Sequence, residues 1–210
     1  MQIILARHGE TDWNLQGRCQ GVTDLNLNAN GVRQAEELAA CLRGERIAAL
    51  YSSDLRRAIQ TAGAIGRAHR LEVITDRDFR ELDHGELEGL TFPQVRSSYP
   101  DFIRRWRSDP AELLIPGGER LADVKQRAWR GLERIVHSHS STETLVVVSH
   151  QFPIQAVLCH ITGTPLNRYR LFRTEPCSFH RLHYRRGEGW RAAPMPGPAS
   201  PDSRGADGDL

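Results

Sequence analysis

The sequence predicts an α/β fold, a three-layer α/β/α sandwich with a mainly parallel central sheet. Two uninterrupted, β-branched apolar runs, QIILA at 2–6 and TLVVVS at 144–149, are typical of strands that are buried on both faces. RIAALYSS at 46–53 and SFHRLHY at 178–184 are further strand candidates, and the alternation in the second places it nearer an edge. Because helical patterns separate these runs, we expect helices on both faces of one sheet.

Three segments, 28–44, 54–70 and 120–139, carry apolar residues at helical spacing. In the first segment, Gly44 follows the last turn as a predicted C-terminal cap, and in the second, Asp54 is the predicted N-cap. The predicted buried face of the first helix consists of Val32, Ala35, Leu38, Ala39 and Leu42. That of the third helix consists of Leu121, Val124, Ala128, Leu132 and Ile135.

The chain of 210 residues predicts one folded domain over 1–192 and a tail over 193–210. The tail is rich in Pro, Gly, Ser and Asp and lacks the apolar content that would offset its ordering entropy, so we expect it to be disordered. Residues 85–118 interrupt the strand–helix rhythm with aromatic residues among charges. This insertion is interpreted with equal weight as a lid over a binding site or as a small helical cap over the sheet edge.

Composition excludes several classes of function. The net charge is only +2 and the Arg residues are interspersed with Glu and Asp, which argues against nucleic acid as a partner. No apolar run reaches the roughly 18 residues of a membrane span. The four cysteines form no C-x-x-C pair and no signal peptide is evident, so we expect reduced thiols in a cytoplasmic protein. The oligomeric state stays open, with a homodimer as one option.

Charged side chains follow three of the predicted strands at the point where each strand ends: Arg7 and His8, then Asp54, Arg56 and Arg57, then His150. The carboxyl ends of parallel strands meet at one edge of a sheet, which is where ligands bind in such folds. Two imidazoles and up to three guanidinium groups at one edge favour a compact, highly charged anion. Sulfate, carboxylate and phosphate all satisfy this charge pattern.

Five ordered blocks carry a resemblance to a known family: RHGETDWN, SSDLRRAIQTA, ELDHGELEG, PGGE and VVVSH. Together they closely resemble the histidine phosphatase superfamily of phosphoglycerate mutase-like proteins, over about residues 3 to 184. R-H-G alone would be weak, but the later blocks in the same order make a chance match very improbable. The resemblance implies a phosphoglycerate mutase-like sandwich and phosphoryl-transfer chemistry that needs neither metal nor cofactor. The sequence itself offers no cluster with metal-ligand spacing.

The resemblance assigns roles to individual residues. It makes His8 the nucleophile that is transiently phosphorylated, with the Gly9 carbonyl as partner of its other ring nitrogen, and Glu81 the general acid and base. The phosphoryl group would be held by Arg7, Asn14, Arg57 and His150. An attacking imidazole must be neutral, and a protonated Glu next to phosphate needs a raised pKa. The S-x-L-x-R-A spacing selects Arg57 over its neighbour Arg56.

Substrate contacts are less sharply predicted. By resemblance alone, Gln20 and Gly21 contact the substrate, and Cys19 beside them is expected to be an inert thiol. His84, in ELDHG, is interpreted with equal weight as a specificity residue or as a structural one. Many relatives have Gly after the second catalytic His, whereas Gln151 and Phe152 stand here and could reshape the substrate side.

The acid motif separates the two main activities of the superfamily. Cofactor-dependent mutases carry ERHYG and a longer insertion, whereas ELDHGELEG with a shorter insertion resembles the phosphatase branch, including broad-specificity, phosphoserine and α-ribazole-phosphate phosphatases. We therefore expect a phosphomonoesterase acting on a small phosphorylated metabolite. A phosphoglycerate mutase is the alternative enzyme, and a phosphate-binding protein without turnover is the alternative from another class.

Overall fold

The computed structural model describes residues 1–193, so the predicted tail beyond Ala193 lies outside the described residues. Within residues 1–193, six strands form one sheet: β1 (Gln2–Arg7), β2 (Ile47–Ser52), β3 (Val73–Thr75), β4 (Thr144–Ser149), β5 (Phe179–Arg185) and β6 (Gly189–Ala192). Their order across the sheet is β3-β2-β4-β1-β5-β6. The first four strands in that order are parallel, while β5 runs antiparallel to β1 and to β6. The mainly parallel sheet is confirmed.

In the described part of the chain, seven α-helices accompany the sheet: α1 (Asp12–Leu15), α2 (Ala29–Cys41), α3 (Arg56–His69), α4 (Phe92–Ser98), α5 (Pro100–Ser108), α6 (Leu121–Ser138) and α7 (Gln151–Thr162). Side chains of β1 alternate between two cores, with Ile4 packing towards α2 and α3 and Ile3 towards α6 and α7. The apolar residues of β4 alternate in the same way. The three-layer α/β/α sandwich predicted from the sequence is therefore confirmed. None of the helices in residues 1–193 is long and apolar enough to cross a bilayer.

Three local predictions are wrong. Val32 is 49% exposed, because the first turn of α2 packs through Gly31, whose Cα lies against the backbone of Glu10. The helix ends at Cys41, with Leu42 as a right-handed cap whose N–H bonds within the last turn, so Gly44 does not cap it. Leu55 rather than Asp54 caps α3, since the Asp54 carboxylate is bound by the Arg80 guanidinium at 2.6 and 2.7 Å.

Strands β3 and β6 were not predicted because they are only three and four residues long and largely lack buried apolar side chains. The insertion over 85–118 folds into α4 and α5, and Val95, Trp106 and Ile115 are fully buried in the core beneath it. The insertion is thus packed against the rest of the domain, while Phe92 lines the cavity described below.

Candidate active site

The carboxyl ends of the parallel strands open into a cavity of about 660 Å³. Arg7 and Ser149 are paired in the register of β1 and β4, so His8 and His150 leave neighbouring strands at the same level. Their ring centroids are 4.9 Å apart. Six of the predicted site residues line this cavity: Arg7, His8, Asn14, Gln20, Glu81 and His84.

His8 is held as a neutral imidazole. Its Nδ1 lies 2.7 Å from the Gly9 carbonyl oxygen, so Nδ1 carries the proton and donates it there. The lone pair is therefore on Nε2. Burial, together with the charges of Arg57 and Arg7, holds the pKa of His8 well below its ordinary value.

The Gly9 peptide that orients His8 is itself fixed. Its N–H donates to Thr61 Oγ1 at 3.0 Å, and that hydroxyl donates to the Arg57 carbonyl oxygen at 2.8 Å. A β-carbon at position 9 would lie only 2.5 Å from the Gly31 carbonyl oxygen, so glycine is needed for this close approach. The loop after β1 is thus tied to both α2 and α3.

Arg57 and His150 lie behind the lining residues, and neither is exposed to solvent. Arg57 donates Nε to His150 Nδ1 at 3.2 Å, and its terminal nitrogens bind the carbonyl oxygens of Gly21 and Thr23 at 2.6 and 2.9 Å. His150 Nδ1 is therefore an acceptor and Nε2 a donor. This buried Nε2 has no partner among the described residues, as a donor intended for an anionic ligand would be. Burial and the Arg57 charge lower the pKa of His150.

Glu81 is 5% exposed and lies against the N-terminus of α7. Its Oε1 accepts N–H bonds from Leu82 at 2.8 Å and Phe152 at 3.2 Å, and its Oε2 accepts one from Gln151 at 3.0 Å. Burial raises the pKa of Glu81, and these donors and the charges of Arg57 and Arg7 only partly oppose the rise. A carboxyl group with a raised pKa can both give and take a proton.

The remaining predicted contacts divide into two groups. Asn14 and Gln20 line the cavity. The Thr11 hydroxyl is shared between their side-chain oxygens, as a hydrogen-bond donor to Asn14 at 3.0 Å and to Gln20 at 2.7 Å. Gly21 lies outside the lining, and its carbonyl oxygen instead supports Arg57. His84 packs edge-on against Phe152, and burial and Arg57 lower its pKa to about 3, so this ring is neutral.

Two further features of the described part of the chain concern metal ligands and the thiol in the cavity. Within residues 1–193, no group of three or more His, Cys, Asp or Glu side chains is arranged to hold a metal ion. Cys19 lines the cavity, but burial and the Glu88 charge raise its pKa to about 12. Cys19 is therefore a thiol at neutral pH and not a nucleophile, as expected.

The outer part of the cavity was missed by sequence reasoning. We call this part the mouth; it is lined by Gln16, Arg18, Arg170, Arg173, Thr174, Glu175 and Pro176. The last five precede β5, with Arg170 in a 3₁₀ helix (Leu166–Leu171) and the other four in the loop after it, and the carbonyl oxygen of Thr174 accepts a hydrogen bond from Arg7. The only signal in the sequence is the basic stretch RYRLFR at 168–173, which has no periodicity that would place it at the site.

Comparison with known proteins agrees with this geometry. The histidine phosphatase superfamily (branch 1) matches residues 3–193. Phosphoserine phosphatase 1 of Hydrogenobacter thermophilus is 38% identical over 87% of this chain and 86% of its own length. A probable phosphoglycerate mutase of Proteus mirabilis is 34% identical over 88% and 85%.

A solved structure has the same fold. The mycobacterial glucosyl-3-phosphoglycerate phosphatase in complex with VO3 superimposes with a TM-score of 0.84 at 29% identity, covering 92% of this chain and 98% of that one. The family match spans nearly all the described residues and includes every predicted site residue. The chain belongs to branch 1 of the histidine phosphatase superfamily.

Proposed function

We propose that this protein is a metal-independent phosphomonoesterase that hydrolyses a small phosphorylated metabolite through a phosphohistidine intermediate on His8. One observation carries the proposal: the neutral His8 ring, with Nδ1 fixed on the Gly9 carbonyl, lines the same cavity as the protonatable Glu81. A nucleophile and an acid of matched protonation state in one cavity are what ester cleavage requires. The relatives named as phosphatases support the same reaction class.

In the first half-reaction, His8 Nε2 attacks phosphorus and the P–O bond to the alcohol breaks. The leaving oxygen takes the proton of Glu81, so the alcohol departs neutral and Glu81 becomes a carboxylate. Phosphoryl transfer leaves charge on the three equatorial oxygens, which need fixed donors. Arg7, Asn14 and the buried Nε2–H of His150 are suited to that role, with Arg57 holding His150 in place.

In the second half-reaction, a water molecule attacks the phosphohistidine. The Glu81 carboxylate removes a proton from this water, the P–N bond breaks, and inorganic phosphate and neutral His8 result. Glu81 ends protonated, as it began, so the cycle is balanced. Burial of Glu81 serves both halves, because a raised pKa favours the protonated form in the first half and makes the carboxylate a stronger base in the second.

Phosphoglycerate mutase activity is the second candidate, favoured by the Proteus relative that bears this name. In a mutase, the phosphohistidine is returned to another hydroxyl of the bound substrate rather than to water. A phosphate-binding protein without turnover is a third option, and the intact set of His8, Glu81 and His150 disfavours it.

The proposal is tested with phosphoserine, 3-phosphoglycerate, α-ribazole phosphate and sugar phosphates in the presence of EDTA. We expect the wild type to release inorganic phosphate from at least one substrate, and His8→Ala to lower kcat by on the order of 10⁴-fold or more. Conversion of 3-phosphoglycerate to 2-phosphoglycerate faster than phosphate release would establish a mutase instead. Equal, slow hydrolysis by wild type and His8→Ala would favour a binding protein.

A further inference from the structure

The loop that carries Glu81 is not held by regular secondary structure. It runs between two short 3₁₀ turns, Arg77–Phe79 and Gly85–Leu87, and belongs to no strand or α-helix. General acid catalysis needs the carboxyl group within hydrogen-bond reach of the leaving oxygen. Side chains from elsewhere must therefore fix the backbone at position 81.

Arg127 of α6 supplies this support. Its guanidinium donates to the carbonyl oxygens of Asp78 at 3.0 Å, of Arg80 at 2.5 Å and of Glu81 at 2.8 Å. The same group binds both oxygens of Glu119, at 2.8 and 3.0 Å. These five contacts use all five N–H donors of the guanidinium.

Glu119 extends the support to the other side of Glu81. Its carboxylate accepts the Asp83 N–H at 3.4 Å, and its own N–H donates to the Asp83 carbonyl oxygen at 3.1 Å. The side chains of Arg127 and Glu119 are only 15% and 22% exposed, so this ion pair is well shielded from solvent. Together the two residues span the backbone from 78 to 83.

We propose that Arg127, braced by Glu119, is a positioning residue that sets the carboxyl group of Glu81 for proton transfer to the leaving oxygen. The backbone of Glu81 is held from the α6 side by Arg127, and its carboxylate is held from the other side by the N-terminus of α7. A shift of about 1 Å at such a group can cost on the order of 10²-fold in rate. The inference rests on the proposed function, because it requires Glu81 to be the acid.

Arg130 offers a matched control on the same helix. It binds the Asp78 carboxylate at 3.1 and 2.7 Å, and thus reaches the same loop, but its side chain is 58% exposed and makes no contact with Glu81 or Glu119 among the contacts described. Arg→Lys at either position keeps the positive charge while removing the planar fork of donors. A difference between the two variants therefore reports on the geometry at Glu81 and not on charge.

The test measures kcat/KM for 4-nitrophenyl, 4-chlorophenyl and phenyl phosphate, which differ mainly in how much the leaving oxygen needs a proton. For Glu81→Gln we expect the loss on phenyl phosphate to exceed that on 4-nitrophenyl phosphate by about 10²-fold. For Arg127→Lys we expect the loss of kcat/KM on phenyl phosphate to exceed that on 4-nitrophenyl phosphate by about 10-fold. For Arg130→Lys we expect the ratio of the two kcat/KM values to stay as in the wild type. Glu119→Gln, a milder change, should give a smaller loss of the same kind.

Thermal unfolding of each variant separates positioning from folding, since a reduced folded fraction lowers all three rates equally. An equal loss on the three esters for both Arg127→Lys and Glu119→Gln, beside a selective loss for Glu81→Gln, would overturn the positioning role and leave the proposed function intact. If Arg127→Lys does not fold, the positioning role is decided by Glu119→Gln alone, from whether its loss of kcat/KM is larger on phenyl phosphate than on 4-nitrophenyl phosphate. No selective loss for Glu81→Gln would overturn both, because Glu81 would then not be the acid.

Discussion

The two ends of the cavity differ in the elements that supply their side chains and in how exposed those side chains are. The inner end is lined by His8, which follows a parallel strand, and by Glu81, while Arg57 and His150 lie directly behind it; each of these four residues is 5% exposed or less. The mouth consists of loop residues with exposed charges, such as Arg173, whose side chain is 54% exposed. Buried, tightly hydrogen-bonded groups suit a reaction that is the same for every phosphate ester. Exposed loop side chains suit recognition of the variable remainder of the substrate.

Substitution of the adjacent residues Arg56 and Arg57, at the start of α3, tests the role of the inner end. Arg57→Lys should lower kcat/KM by about 10²-fold, because a lysine cannot bind the Gly21 and Thr23 carbonyl oxygens and His150 together. The same change should lower the free energy of unfolding by about 1–3 kcal/mol, since buried acceptors lose their donor. Both quantities follow from steady-state kinetics and urea denaturation.

Arg56→Lys is the control, because the Arg56 side chain is 64% exposed and pairs only with Asp24 among the described contacts. We expect the free energy of unfolding to change by no more than about 0.5 kcal/mol and the rate to be nearly unchanged. Comparable losses in the two variants would contradict the distinction between a buried and a surface arginine.

The pH dependence of kcat/KM probes the protonation states at the inner end. His8 must be neutral and Glu81 protonated, so activity should fall at low pH as His8 gains a proton and at high pH as Glu81 loses one. Burial lowers the pKa of His8 and raises that of Glu81, which moves the two limbs apart and widens the active range. Glu81→Gln should abolish the alkaline limb on phenyl phosphate, and an unchanged alkaline limb would assign that titration to another group.

A smaller effect than at Arg57 is expected at the mouth. Arg173→Gln removes an exposed, solvent-screened charge that lies 3.3 Å from Glu175. We expect KM for an anionic ester to rise by less than about 10-fold while kcat stays the same, and the change should shrink as salt is added. A fall in kcat comparable to that of Arg57→Lys would show that the two ends of the cavity are not functionally separate.

The difference between the buried inner end and the exposed mouth also explains which site residues could be predicted from the sequence. His8 and His150 follow uninterrupted β-branched runs, so the strand pattern alone places both at the carboxyl edge. The choice of Arg57 over Arg56 and the identity of Glu81 came from motif spacing, because Glu81 lies on a loop with no periodicity. The placement of Arg57 behind the cavity lining depends on the Gly21 and Thr23 carbonyl oxygens, which no sequence pattern reveals.

Errors in the predicted elements have a similar cause. Asp54 is a good N-cap by residue type, but Arg80, 26 positions later, binds its carboxylate. Val32 fits the helical stripe, but the contact of Gly31 with Glu10 turns it towards solvent. In each case a tertiary contact overrides a local preference. The loop from Arg170 to Pro176 was missed because its position depends on the path of the chain from α7 to β5.

The most direct test of the account is to trap the covalent intermediate. Wild-type protein mixed with a ³²P-labelled ester and quenched within milliseconds should carry an acid-labile, alkali-stable phosphoryl group, stoichiometric with active sites, on the peptide that contains His8. His8→Ala should carry none, and Glu81→Gln should still accept label from 4-nitrophenyl phosphate but lose it slowly to water. Label on any other residue, or undiminished turnover by His8→Ala, would contradict the account.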